Sequence, residues 1–129
     1  MERSQTRRRQ LVLTAVHTLK HPTADEVYAA VADAQPPVGR ATVYRNLNLL
    51  AEQGEIRRIE TGEADRYDGR TQPHYHLYCR CCGRVFDAHM PVIEGLERAL
   101  TETDGFAVEG HTIEFIGLCP DCKNKNGGC

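Results

Sequence analysis

At 129 residues the chain has room for one ordinary domain or two small ones, and small units usually need a metal or a partner subunit to complete their burial. Sixteen basic against 18 acidic residues leave a net charge of −2, which argues against indiscriminate nucleic-acid binding but permits a local basic surface. No long apolar run occurs, and the charged start MERSQTRRRQ is not followed by an apolar stretch of signal type. The expectation is a soluble cytoplasmic protein with no membrane partner, and in that reducing compartment six cysteines point to metal ligands or redox-active thiols rather than a disulfide framework.

In chain order, Leu11, Val12, Ala15, Val16 and Leu19 recur at three- and four-residue steps and predict a helix from Arg7 to Leu19 behind a basic first turn. Thr23 followed by Glu26 is a capping box, so a second helix starts at Ala24 and buries Val27 and Val31. After the break QPPVG, the run RATVYRNLNLLAEQG predicts a third helix with Val43, Leu47 and Leu50 on one face and Gly54 as its stop. Three short helices suggest a helix-turn-helix core. EIRRIETGEADRYD then reads as two short strands around a turn at Thr61 to Glu63, the wing of a winged helix.

Beyond Asp68 the composition changes, since all six cysteines and four of the six histidines lie there; a hinge is expected at roughly 66–73. HYHLYC and RVFDAH read as strands joined through a cysteine knuckle. PVIEGLERALTETDG reads as a helix with Pro91 near its start, and FAVEGHTIEFIGLC as one or two further strands. The KNKNGG tail has a disordered composition. The fold class is α+β: an N-terminal winged helix-turn-helix domain (1–67), then a small α/β dimerisation and metal-binding domain (68–129).

Cys79 and Cys82 form one CxxC, Cys119 and Cys122 another. Each CxxC turn places two thiolates within reach of one ion, and two such knuckles make the closed S4 shell of structural zinc. A redox CxxC needs no second pair, and buried free thiols are the bland alternative; the paired spacing favours Zn2+. Cys81 and Cys129 fall outside this set. His74 and His76 alternate with Tyr75, so on a strand they share a side, and Asp68 and Asp87 are carboxylates placed to converge on them. An HxH pair alone reads as readily as exposed strand histidines, and His21 alone reads as a loop residue.

HPTADEVY, ATVYRNLNLL, RYD, HYHLYCRCCG and CPDC stand in the order and spacing of the ferric uptake regulator family of metal-dependent bacterial repressors, which this chain resembles from about Arg7 to Cys122. It looks most like the peroxide-responsive branch. That resemblance implies a regulatory Fe2+ or Mn2+ held by His21, Asp68, His74, His76 and Asp87, with aspartate at 68 and 87 where the iron-sensing branch usually has glutamate. It implies that peroxide oxidises a ligand histidine, His21 or His74, and releases the DNA. It also implies a homodimer on palindromic operator DNA, with the third helix in the major groove. Thr42, Tyr44, Arg45 and Asn46 are then the candidate readers, and Arg57 and Arg58 in the wing, with the cluster at Arg7 to Arg9, the phosphate contacts. Two departures stand out: only MERSQT precedes the first helix, where many members carry a further helix, and Tyr75 replaces the acidic residue that members with a third metal site place between the histidines. His89, Glu94 and His111 are accordingly expected to be ordinary residues. The competing readings are an iron or zinc sensor of the same family and, from another class, a zinc-ribbon redox protein or enzyme, which would need a nucleophile and base that the sequence does not offer.

Overall fold

The structure is a computed structural model that describes residues 2–125; Cys129 and the end of the KNKNGG tail lie outside the described residues. The chain divides between Gln72 and Pro73 into two compact units.

The first unit is built on α1 (Glu2–Leu19), α2 (Ala24–Val31) and α3 (Arg40–Glu52). Helix α1 begins at Glu2, not near Arg7 as expected: nothing between Glu2 and Thr6 breaks a helix, so the basic turn lies inside it. Its apolar stripe is shorter than the periodicity suggested, because Leu19 at the C-terminal end is 41% exposed. Val12, Val16, Val27, Val43, Leu47 and Leu50 are fully inaccessible and interlock as the core, each side chain contributing about 1.5–3 kcal/mol of burial. The capping box on α2 is present in both directions: the Glu26 N–H donates to Thr23 Oγ1, and the Thr23 N–H donates to Glu26 Oε1. Gly54, with φ of 76°, closes α3: the Glu55 N–H returns to the Leu50 carbonyl and the Gly54 N–H to that of Ala51, a pairing that needs a left-handed residue at this point.

The wing is β1 (Arg57–Ile59) and β2 (Arg66–Asp68), antiparallel with Arg57 opposite Asp68. Thr61 shapes its turn, accepting from the Glu63 N–H and donating to the Ala64 carbonyl. All three residues of β2 are buried, because the segment before α2 covers it: Thr23 bridges to Arg66, and the Tyr67 N–H donates to the Pro22 carbonyl. Asp68 is thus an integral part of the first unit.

The second unit is a three-stranded sheet in the order β4-β3-β5, with β3 (His76–Cys79), β4 (Val85–Asp87) and β5 (Glu114–Gly117). Strand β4 runs antiparallel to β3 with Asp87 opposite His76, and β5 runs parallel with Gly117 opposite Cys79. Strand β3 starts two residues later than HYHLYC suggested, so His74 precedes it. The expected helix at PVIEGLERALTETDG is a correction: only a 3-10 turn, Leu96–Ala99, forms there, Gly95 sits at φ of 75°, and Ile93 and Leu100 stay exposed. Periodicity marks an apolar face but cannot supply a surface to bury it, and among the described residues none covers this one. A short helix α4 (Pro120–Lys123), not read from the sequence, carries Cys122, with Pro120 at its first position. Cys79, Cys119 and Cys122, with Phe86 and Cys81 against them, form the buried cluster of this unit. So small an apolar centre would gain much from a bound metal.

Candidate metal centres and nucleic-acid surface

The turn after β3 and the start of α4 bring four sulfurs together. Cys79, Cys82, Cys119 and Cys122 each offer an atom within 4.8 Å of the others, and none of the four is in a disulfide. Cys82 Sγ and Cys119 Sγ are 3.8 Å apart. A tetrahedral shell with zinc–sulfur bonds of about 2.3 Å has edges of about 3.8 Å, so this donor set fits zinc. The backbone N–H groups of Cys82 and Cys119 donate to Cys79 Sγ at 3.5 and 3.4 Å. Those hydrogen bonds, led by that from Cys82, hold the Cys79 thiol down to about 5. A backbone N–H from Cys122 likewise lowers Cys119, while burial pushes Cys122 up to about 12. Hydrogen bonding therefore favours the thiolate at Cys79 and pulls Cys119 in the same direction, and a divalent cation would compensate the burial that opposes it at Cys122. Cys81 is not one of the four.

Within each unit a histidine lies against an aspartate. In the first, His21 Nε2 stands 3.3 Å from Asp68 Oδ2, both side chains 7% exposed. The backbone reverses after α1 through Lys20 and His21, with φ of 55° and 56°. Left-handed backbone at residues with a Cβ costs about 1–2 kcal/mol each, so something must hold it. Arg66 does so: its buried Nη1 donates to the His21 carbonyl at 2.9 Å and to Glu26 Oε1 at 3.2 Å. In the second unit Asp87 Oδ1 lies 3.0 Å from His74 Nε2 and 3.8 Å from His76 Nε2, with the two imidazole centroids 4.5 Å apart. The β3–β4 register fixes this by setting His76 opposite Asp87. Both groups are nitrogen-and-oxygen sets of the kind that suits ferrous iron or manganese rather than a soft metal. His89 and Glu94 are exposed; His111 bonds to Tyr75 Oη and Glu97 Oε1, each at 2.5 Å, and the hydrogen bond from His111 lowers the Glu97 carboxyl.

On α3, Tyr44 and Arg45 are exposed, whereas Thr42 and Asn46 are half-buried and the Asn46 amide donates back to the Thr42 carbonyl. Tyr44 Oη donates to Asp25 Oδ1 at 3.1 Å, which raises the phenol, and Asp25 also pairs with Arg40. A cleft of about 640 Å³ between α1 and α3 is lined by Arg8, Arg9, Arg45, Thr42 and Asn46. In the wing, Arg57 and Arg58 are exposed, and Arg58 bonds to Asn48 and lies 3.8 Å from Asp65. Sequence reasoning missed Arg66, Asp25 and Arg84, whose side chains act on residues far away in the chain.

A sequence profile of the ferric uptake regulator family matches residues 2–116. The chain belongs to the ferric uptake regulator family. It is 37% identical to the peroxide operon regulator of Bacillus subtilis (strain 168) over 111 residues, 85% of this chain and 77% of that one. The peroxide stress regulator of Campylobacter jejuni superposes with a TM-score of 0.71 at 28% identity, covering 94% of this chain and 93% of that one. The ferric uptake regulator of Francisella tularensis, solved with iron, gives a TM-score of 0.72 at 27% identity over 91% and 92% of the two chains. Membership in the ferric uptake regulator family makes this chain a transcriptional regulator and not an enzyme.

Proposed function

We propose that the chain is a metal-dependent, peroxide-responsive repressor, a cytoplasmic homodimer that binds palindromic operator DNA and leaves it when a ligand histidine is oxidised. The observation that carries this reading is aspartate rather than glutamate beside each histidine group: His21 with Asp68, and His74 and His76 with Asp87. In the proposal the five side chains hold one Fe2+ or Mn2+, taking ligands from both units, and Cys79, Cys82, Cys119 and Cys122 hold Zn2+. Bound ferrous iron would supply the electrons that cleave peroxide. His21 and His74 are the residues proposed to take up the oxygen, and the two short carboxylates supply hard ligands whose charges would balance the divalent cation.

Tyr44 and Arg45 are proposed to read bases, with Thr42 and Asn46 beside them. Arg57, Arg58 and the arginines of the α1 cleft are proposed to meet phosphates. Homodimerisation has its support in the second unit. Strand β5 is an exposed sheet edge, and Phe106 and Ile116 are 75% and 67% exposed, an apolar surface of the kind a second copy covers. No helix among the described residues is long and apolar enough to cross a membrane.

The test is mass spectrometry of protein loaded with ferrous iron and then exposed to peroxide. A gain of about 16 Da, one oxygen atom, localised to His21 or His74 is expected, with none when manganese replaces iron. Unmodified histidines in the iron-loaded, peroxide-treated protein would contradict the reading.

A further inference from the structure

The guanidinium of Arg84 lies against the cysteine cluster. Its Nε donates to Cys82 Sγ at 3.4 Å and its Nη2 to Cys119 Sγ at 3.3 Å, so one fork reaches a sulfur from each CxxC. Nη2 also donates to Asp121 Oδ2 at 2.9 Å, and the guanidinium carbon stands 5.4 Å over the Phe86 ring. Asp121 on α4 and Phe86 on β4 thus fix the fork from two elements. Cys82 is the exposed member of the four, where a dissolved oxidant first meets sulfur. Four thiolates around one divalent cation carry two surplus negative charges, and such sulfurs remain nucleophiles unless donors draw on their lone pairs.

We propose that Arg84 shields the zinc-holding cysteines from peroxide, keeping this site inert in a protein whose histidines must react. The proposal rests on the zinc reading of the cluster and not on the iron site. The suppressed reaction begins when the Cys82 thiolate attacks peroxide, breaking the O–O bond to give a sulfenic acid and hydroxide. Cys119, its sulfur 3.8 Å away, then displaces a second hydroxide and forms the disulfide. The two sulfurs lose two electrons, peroxide gains them, and the zinc ion is released. Hydrogen bonds from a cation to both sulfurs oppose both steps. Thiolate nucleophilicity falls as electron density is drawn from the sulfur, and with one donated bond on each of the two sulfurs the expected suppression is about tenfold.

The experiment uses full-length protein carrying zinc and no other metal, with a chromogenic chelator reporting release. Zinc content of the wild type is measured first; absence of zinc there would overturn the cluster reading, and this inference with it, before any peroxide is added. Arg84→Gln is expected to release zinc under peroxide about tenfold faster than wild type, while release to the chelator alone is unchanged. Arg84→Lys keeps the charge but cannot fork to both sulfurs, so its rate should fall between, and it carries the test should Arg84→Gln not fold. Peroxide-driven release at the wild-type rate, or acceleration that runs in parallel with and without peroxide, overturns the proposal, the second outcome marking a merely structural role.

Discussion

Arg66 Nη1 donates to the backbone carbonyl of His21 across 45 residues of sequence, and the imidazole of His21 then faces Asp68 Oδ2 at 3.3 Å. The bond holds the left-handed turn after α1 against its own backbone cost, and it ties the loop to the strand that carries Asp68. Arg66→Met should leave the His21 carbonyl and the Glu26 carboxylate without this donor and cost about 1–3 kcal/mol of stability in the first unit. Manganese should bind more weakly although no proposed ligand has changed, and zinc content should hold. Calorimetric titration with manganese checks this; wild-type affinity in a folded Arg66→Met would show that His21 needs no such fastening.

What the sequence disclosed follows the range of the contacts concerned. The capping box at Thr23 and Glu26, the Gly54 stop and the two CxxC turns are set by residues within a few positions of one another, and all are visible in the string. The fastening of His21 by Arg66 joins distant residues, and alone His21 read as a loop position. The helix expected after Pro91 failed for a related reason, since Ile93 and Leu100 have helical spacing but nothing among the described residues to pack against. His74 falls outside β3, yet its ring reaches that of His76, so the HxH pair gave the right neighbours with the wrong strand boundary.

Arg45 is exposed on α3 beside the arginine-lined cleft, and its alanine variant tests the reading helix. Operator affinity should fall by about 1–3 kcal/mol if the guanidinium contacts a base in bidentate fashion, with fold and zinc content unchanged. Fluorescence anisotropy with operator duplexes measures it, and a folded variant with unaltered affinity would remove Arg45 from the contact surface. Asp25→Ala extends the test, because Tyr44 Oη would lose its acceptor. Discrimination between operator and random duplex should then drop while the salt slope does not fall, since no phosphate contact is lost and Arg40 is freed from Asp25.

Cys119 contributes a sulfur to the cluster and a backbone N–H to Cys79. Cys119→Ser should lower zinc content and unfold or monomerise the second unit, because zinc binding energy is coupled to the folding of a unit with so small an apolar centre. Sedimentation and metal analysis decide: a zinc-free protein that stays dimeric and equally stable would rule the structural role out.

His21 is the sharpest test of whether one ion takes ligands from both units. If metal binding selects the DNA-competent arrangement, its effect is a coupling free energy between the metal site and the operator surface, and the coupling needs a ligand from each unit. His21→Ala should leave zinc and dimerisation intact, weaken metal-activated operator binding and abolish oxidation at that position. Asp68→Glu and Asp87→Glu keep the charge but lengthen the arm, so they should retain part of the metal-dependent binding while losing peroxide sensitivity. The measurement is operator affinity titrated with manganese and with ferrous iron, before and after peroxide, on wild type and the three variants. Should His21→Ala answer both metals and peroxide as wild type does, the shared site is wrong; the ion would then be sought within the second unit, where His74, His76 and Asp87 already stand within 4.8 Å of one another.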